Sequence, residues 1–384
     1  MVTPGLIVIG SGPAGISAAE AFRKYDDTRS VQIFTEDPDL PYERPPLSKD
    51  YLRGETDDVA LHPPEWFSER SIEIVHEASL EHIDVAERSV VIGGTSHSYA
   101  ALVLACGASP TPLPVPGGER ALQLRSLSDA RKLRDAGSKA SSAVVIGAGF
   151  IGCEAAASLA LQGVAVTLVA PDSVPQEKRL GTEAGQRLLE LVQQSGARYV
   201  GGVSVKAITE RGVVLDNGVT LDTDLVLAAT GVAPNSAVPM AAGLTIEQSR
   251  IFVGADMRTS ADGVFAAGDV ASAFNAAAGR HVPVEHWQDA MDHGEVAGAV
   301  AAGQDSKWDA VPGFWTTIGE ATVKYHAWGD GYQSSRLLAR DGGFTVWYEK
   351  DGAAVGVLTC NADEDYDLGE TLIAEGRPAP VPLN

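Results

Sequence analysis

Leu6-Ile7-Val8-Ile9-Gly10-Ser11-Gly12-Pro13-Ala14-Gly15 opens the readable part of the chain, and Ala143-Val144-Val145-Ile146-Gly147-Ala148-Gly149-Phe150-Ile151-Gly152 repeats its pattern in the second third. Each stretch is an apolar run, a glycine turn of the form GxGxxG and the start of an Ala-rich helix. In such a unit the first glycine makes the tight turn and the second lets backbone approach a pyrophosphate. The third lets helix and strand pack closely, with the phosphate on the helix N-terminus. One such motif is weak. Two in the same strand–turn–helix context point to two dinucleotides, and the chemistry that joins them is hydride transfer from one to the other.

The rest of the sequence extends this frame. A length of 384 residues accommodates two or three domains, and Ala, Gly and Val outweigh the 6% of aromatic residues, as helices on parallel sheets require. Val31-Gln32-Ile33-Phe34 reads as the second strand of the first unit, and Glu36 lies at its end, placed to accept hydrogen bonds from ribose hydroxyls. Three prolines in Pro41-Tyr42-Glu43-Arg44-Pro45-Pro46-Leu47-Ser48-Lys49 forbid regular sheet and delay the next helix. Strands follow at Ile72–Val75, Ser89–Ile92 and Leu102–Ala105, then a stiff linker over Thr111–Gly117. The second unit has its second strand at Val164–Val169, a helix over Gly185–Gln194 and an apolar closing strand at Leu225–Ala228 that runs to Gly231. Parallel strands, hairpin layer and closing strand are therefore used twice. Val264-Phe265-Ala266-Ala267-Gly268-Asp269 is another buried strand, ending in Gly-Asp where ligands sit in open α/β sheets, and Glu285–Ala302 reads as a helix. Beyond Trp308 aromatic residues concentrate with strand-like alternation, which predicts a small α+β domain.

Composition narrows the function. A net charge of −22 argues against nucleic acid and anionic membrane surfaces. Cys106, Cys153 and Cys360 are far apart, with no CxxC or metal spacing, which fits a reducing cytoplasm. No apolar run reaches membrane-spanning length, and the immediate entry into a core strand predicts that no signal peptide is present. His281, His286 and His293 do not have metal-ligand spacing, so no metal is expected.

The order GSGPAG, Glu36, YERPPLSK, GAGFIG with Glu154, AATG, FAAGD and VEHWQDAMDHG resembles the ferredoxin-reductase branch of the FAD-dependent pyridine-nucleotide reductases, over about residues 5–330. The RPPLSK and EHW segments carry the specificity. The resemblance implies an NAD(P)H:ferredoxin oxidoreductase, passing hydride from NAD(P)H to N5 of FAD and then single electrons to a [2Fe-2S] ferredoxin or a related small carrier. It implies that Gly10, Gly12, Pro13, Ala14 and Gly15 line the FAD pyrophosphate and Glu36 the adenosine ribose. Arg44 and Lys49 approach the flavin, Leu80 lies near the adenine, Arg125 reaches FAD, and Gly268 and Asp269 meet the ribityl chain. Glu285, His286 and Trp287 line the flavin edge, with Trp287 against the ring. Gly147, Gly149, Phe150, Ile151, Gly152, Glu154 and Gly231 meet the nicotinamide coenzyme. Lys49, Glu154 and Trp287 are the expected catalytic residues, with Lys49 and Glu154 paired across two domains and Glu154 in the first helical turn.

Four departures from the pattern stand out. Cys106 replaces the usual Thr of an ATG turn and is expected as a small buried side chain. Ala170 stands where an acid would select NADH, with Asp172, Lys178 and Arg179 nearby; NADH is favoured over NADPH on family grounds alone. Thr316-Thr317-Ile318 replaces a Ser-Asp-Gln turn and puts partner docking in doubt. The acidic run Asp363-Glu364-Asp365 is a poor surface for an acidic ferredoxin, leaving Lys307, Lys324, Arg336, Arg340 and Lys350 as the nearby cations. The expected architecture is α/β: two Rossmann-like domains of the glutathione-reductase type and a small α+β C-terminal domain. FAD binding is assigned to 1–110 and 236–308, NAD(P)H binding to 111–235 and an interface domain to 309–384, in a monomer or homodimer. A monodehydroascorbate-reductase-like activity on a small-molecule acceptor, an NADH oxidase and a redox sensor like apoptosis-inducing factor are the alternatives.

Overall fold

A computed structural model describes residues 4–380. The chain divides into two compact units. The first runs to Glu43 and takes in Ala60–Ser109 and Ala233–Gly313; the second comprises Arg44–Val59, Pro110–Val232 and the chain from Phe314.

The first unit is built on a five-stranded parallel sheet, in the order Val264–Ala266, Ala101–Leu104, Leu6–Ile9, Val31–Phe34, Ile72–Val75. The central strand Leu6–Ile9 is buried on both faces, which is why it reads as an unbroken apolar run rather than an alternating one. Gly12 starts the helix Pro13–Tyr25, with Pro13 at the position where a missing N–H costs nothing. The helix Trp287–Ala301 crosses it closely. A Cβ on Gly294 would lie 2.2 Å from the Ala14 carbonyl oxygen, and one on Gly298 2.1 Å from that of Ala18. Only glycine allows this approach. The helix expected from Glu285 begins at Trp287, because His286 is in extended backbone and serves as its N-cap. An antiparallel layer (Leu80–Asp84, Ser89–Ile92, Thr95–Ser98) and a sheet ordered Ile246–Glu247, Arg250–Val253, Ala271–Asn275, Arg280–Pro283 complete the unit.

The second unit repeats the plan. Its parallel sheet is ordered Arg198–Val200, Ala165–Val169, Ser142–Ile146, Leu225–Ala228, and its antiparallel layer is Val205–Thr209, Gly212–Leu215, Thr220–Asp222. The helix expected over 185–194 reaches back to Glu177 across a kink at Gly181 (φ +83°). Tyr332 Oη fills the space there, 2.3 Å from where a Cβ on Gly181 would be, and Tyr348 Oη donates to the Leu180 carbonyl at 3.0 Å. The chain's last sheet is ordered Gly313–Ile318, Ala321–Ala327, Ala353–Cys360, Gly343–Lys350, Ser334–Arg340, and the helix Asp363–Ala374 follows it.

That helix explains the place of the acidic run in the fold. Asp363, Glu364 and Asp365 form its first turn, where carboxylates favour the helix dipole. Asp363 pairs with Lys324 at 2.8 Å and Asp365 with Arg340 at 2.7 Å, so two of the three acids and two of the nearby cations neutralise each other. Arg336 donates to the Pro380 carbonyl at 2.6 Å, and Lys307 lies 3.8 Å from Asp309.

Candidate functional site

The two glycine turns have nearly the same backbone. Gly10 takes φ +107° and Gly147 φ +103°, and a Cβ on either would lie 2.3 Å from a carbonyl oxygen, that of Ala105 or of Ala229. A Cβ on Gly15 would come within 2.0 Å of the Gly10 oxygen, and one on Gly152 within 1.9 Å of the Gly147 oxygen. Gly12 and Gly149, both extended, are the N-caps, and neither helix has a side-chain capping hydrogen bond. Each turn thus leaves the first N–H groups of a long helix without a cap from the N-cap side chain, in the geometry that receives a phosphate.

Their rims differ. Beside the first turn, Glu36 is exposed beyond the strand Val31–Phe34 and accepts from Ser79 Oγ at 2.7 Å; Ser11 and Thr35 share a hydroxyl hydrogen bond of 2.8 Å. Beside the second, Ala170 is buried. Asp172 pairs with Lys178 at 3.1 Å. Arg179 sits over the rings of Phe150, Phe314 and Tyr325 at 5.5–5.9 Å.

In the first unit, Gly268 (φ +73°) lodges its turn between two helices; a Cβ there would lie 3.1 Å from Ala14 Cβ and 3.4 Å from Ala290 Cβ. This brings buried Asp269 next to the first glycine motif. Two side chains to which the sequence reading gave no role in this turn hold it. Arg250 Nη1 donates to the Asp269 carbonyl at 3.0 Å while Nη2 pairs with Glu285, and the Gly268 N–H donates to His293 Nδ1 at 3.3 Å. His293 is completely buried, and burial pushes its imidazole down to about 3, so it is neutral.

The second unit contains a buried polar cluster. Glu154 Oε1 accepts from Lys49 Nζ at 3.1 Å and from Thr316 Oγ1 at 2.6 Å, and Oε2 accepts from Ser48 Oγ. All four residues are under 9% exposed. The expected pair is present, but within one compact unit rather than across two domains, because residues 44–59 cluster with the second unit. Glu154 is also not in the first helical turn. With Gly149 as N-cap the helix Phe150–Leu161 starts at Phe150, so Glu154 is its fifth residue, and side-chain donors rather than the helix dipole dominate its surroundings. Ser158 Oγ donates to the Ser48 carbonyl at 2.8 Å and Gln162 Nε2 to that of Leu52 at 2.9 Å. Glu154, Ser158 and Gln162 are four residues apart and so lie along one helix face. This polar line on an otherwise apolar helix was a legible signal. Thr316, part of the segment that departs from the Ser-Asp-Gln pattern, is a member of this cluster. Next to it Trp315 is 46% exposed and Ile318 is in the core.

The remaining expected residues are more dispersed. Arg44 caps the 3-10 turn Pro45–Ser48 in the second unit, and the Arg125 N–H donates to Asp129 at 3.3 Å there. Leu80 starts its strand, and Trp287 and His286 are half-buried at a helix start in the first unit. Gly231 (φ +97°) is exposed, as is Ile151 at 48%. Cys106, expected to be buried, is only half-buried; its thiol donates to the Asn235 carbonyl at 3.3 Å, and desolvation pushes it up to about 12, so it is a protonated donor and more than a space-filler. Among the described residues there is no cluster of three metal-ligating side chains and no helix long and apolar enough to cross a membrane.

The matching family model is that of the pyridine nucleotide-disulphide oxidoreductases, over residues 4–294. The chain belongs to this family. It is 31% identical to a ferredoxin–NAD(P)(+) reductase of Sphingomonas sp, over 96% of this chain and 92% of that protein. It is 30% identical to apoptosis-inducing factor 3 of Mus musculus, over 97% of this chain; it spans 63% of the length of that relative. A crystal structure of a ferredoxin reductase from Rhodopseudomonas palustris superposes with a TM-score of 0.93 at 29% identity, covering 98% of this chain and 96% of the other. The α/β, Rossmann-like architecture is that of this family. Its ferredoxin reductases use FAD and NAD(P)H. The residues present fit such groups: each glycine turn is a cradle that a Cβ would fill, and each helix beyond it begins without a capping side chain.

Proposed function

We propose that this chain is an FAD-dependent NAD(P)H oxidoreductase that delivers electrons to a [2Fe-2S] ferredoxin or a related small carrier. The single observation that carries the reading is the pair of matching glycine turns with different rims. The first turn, with Glu36 and Asp269, holds FAD; the second holds NAD(P)H. FAD binding falls to 1–110 and 236–308, of which 44–59 packs with the second unit, coenzyme binding to 111–235, and the residues from 309 form the interface region. Bound FAD supplies the conversion between two-electron and one-electron transfer.

The protein's own part is to bind, orient and exclude water. The helix N-termini at Gly12 and Gly149 orient two pyrophosphates, and Glu36 accepts from ribose hydroxyls. Glu154, itself fixed by donors from Ser48 and Thr316, holds the Lys49 ammonium as a buried cation, so that placing charge near it requires no reorganisation at the moment of transfer. No side-chain acid or base is needed; geometry and fixed charge suffice. Asp172 occupies Lys178, which supports NADH over a coenzyme bearing a 2′-phosphate. The acceptor class is supported by the likeness to ferredoxin reductases; the likeness to apoptosis-inducing factor 3 favours a redox-sensing role as the second reading. Turnover with NADH and a [2Fe-2S] ferredoxin tests the first. A purified flavoprotein that is reduced slowly, keeps a long-lived reduced complex and passes no electrons to the carrier supports the second.

A further inference from the structure

We propose that Arg250 and His293 are positioning residues that hold the Gly268–Asp269 turn so that the Asp269 carboxylate meets the flavin cofactor; this rests on the assignment of FAD to the first glycine motif. Three segments meet here. Arg250 begins the strand Arg250–Val253, Gly268 begins the 3-10 turn that carries Asp269, and Glu285 and His293 flank the first turns of the helix Trp287–Ala301. The Arg250 guanidinium joins all three, with one nitrogen on the Asp269 carbonyl and the other on the Glu285 carboxylate. Its side chain is only 12% exposed while that of Glu285 is 45% exposed, so the pair is anchored at the arginine and screened at the acid.

His293 secures the other side of the turn. Its Nδ1 accepts the Gly268 N–H, which places the ring proton on Nε2, the nitrogen without a hydrogen-bond partner among the described residues. The ring stands edge-on to Trp308, with centroids 4.3 Å apart and planes at 81°. A charged imidazole would have no N–H acceptor at Nδ1 and would meet a donor there, so the contact requires the neutral form. Gly268 cannot shift toward the helices, since even a Cβ would crowd Ala14 and Ala290. The turn is thus fixed by a carbonyl grip, an N–H grip and close packing, and the carboxylate it carries is pre-oriented. Pre-orientation raises affinity by removing the cost of ordering at binding.

The test is FAD affinity of apoprotein reconstituted with FAD, followed by quenching of flavin fluorescence, in Arg250→Ala, Arg250→Lys, His293→Leu, His293→Gln and Asp269→Ala chains. Loss of a charge-assisted hydrogen bond predicts about a tenfold larger FAD dissociation constant in Arg250→Ala, partly recovered in Arg250→Lys. Loss of a neutral one predicts about a fivefold change in His293→Leu and less in His293→Gln, whose amide oxygen restores an acceptor. Because both residues act through Asp269, neither Arg250→Ala nor His293→Leu weakens FAD further in an Asp269→Ala background. NADH affinity at the second motif stays at its wild-type value in every variant, which a general structural defect would not allow. Wild-type FAD affinity in Arg250→Ala, or full additivity with Asp269→Ala, overturns the proposal. A wild-type chain that takes up no FAD overturns the underlying assignment and the proposal with it, and is told apart by appearing before any substitution is made.

Discussion

The two glycine turns share a backbone and differ in what surrounds it. At the first, the neighbouring polar groups are an exposed carboxylate, Glu36, and a turn carrying Asp269, with a neutral buried histidine behind it. At the second, the rim acid is missing at Ala170, and the helix instead carries a buried carboxylate compensated by one ammonium and two hydroxyls. The backbone recognises what two dinucleotides have in common, a pyrophosphate. Under the proposed assignment, the rim and the helix interior carry what differs: a cofactor retained at the first site, a coenzyme exchanged at the second.

The comparison breaks most sharply at the third glycines. Gly15→Val puts carbons where the Gly10 oxygen lies, and Gly152→Val does the same to Gly147. The first variant should purify without flavin, and the second should keep its flavin and lose NADH binding. Absorbance at the flavin bands and an NADH titration read both, and loss of flavin from Gly152→Val would erase the distinction. Lys49→Met comes next. It leaves Glu154 buried with hydroxyl donors and no cation, at a cost of about 3 kcal/mol in denaturant unfolding, and it should slow reduction of the flavin by NADH. An unchanged reduction rate would remove Lys49 from the mechanism.

Acid sharpens the contrast from the first side. His293 is neutral when folded, with its ionisation pushed down to about 3, and ordinary, at about 6.5, when unfolded. Its contribution is complete above about pH 6.5 and is lost as pH falls toward the folded value, because the unfolded chain then binds a proton the folded chain does not. Between pH 7 and pH 5 the wild type should lose about 2 kcal/mol more stability than His293→Gln. Parallel urea titrations of the two chains check this, and equal losses would place a charged imidazole in the fold. The smallest effect is at the second rim. Lys178→Glu should weaken any residual NADPH use several-fold, about 1 kcal/mol, and leave the KM for NADH within about twofold. A matching loss for NADH would show that Asp172–Lys178 serves both coenzymes.

Much of this was legible in the sequence, for physical reasons that also mark where legibility ended. Both parallel sheets follow from apolar runs that only two-sided burial explains, and both turns follow from glycine spacing. Long-range side-chain partnerships were less accessible. Arg250 lies in no motif, and His293, although inside VEHWQDAMDHG, was given no partner, because Asp269 and Gly268 lie 19 and 25 positions away in sequence and meet them only through tertiary packing. The role of Thr316 in the buried cluster was out of reach for the same reason: its partner Glu154 is 162 positions away. The ion pairs of Asp363 and Asp365 were not legible because their cations, Lys324 and Arg340, arrive from strands of the last sheet. The line Glu154, Ser158, Gln162 is different. Its four-residue spacing was visible, and it marks the helix face that binds Ser48, Lys49 and Leu52.

The most direct test of the central claim is anaerobic stopped-flow absorbance of the purified chain at the flavin bands, with NADH and NADPH in separate runs and a [2Fe-2S] ferredoxin in a second mix. The account predicts a bound flavin, fast bleaching with NADH, slower bleaching with NADPH, and recovery of the flavin bands when the oxidised ferredoxin is added. A protein that purifies and reconstitutes without flavin, or a flavin that neither coenzyme bleaches, would contradict it.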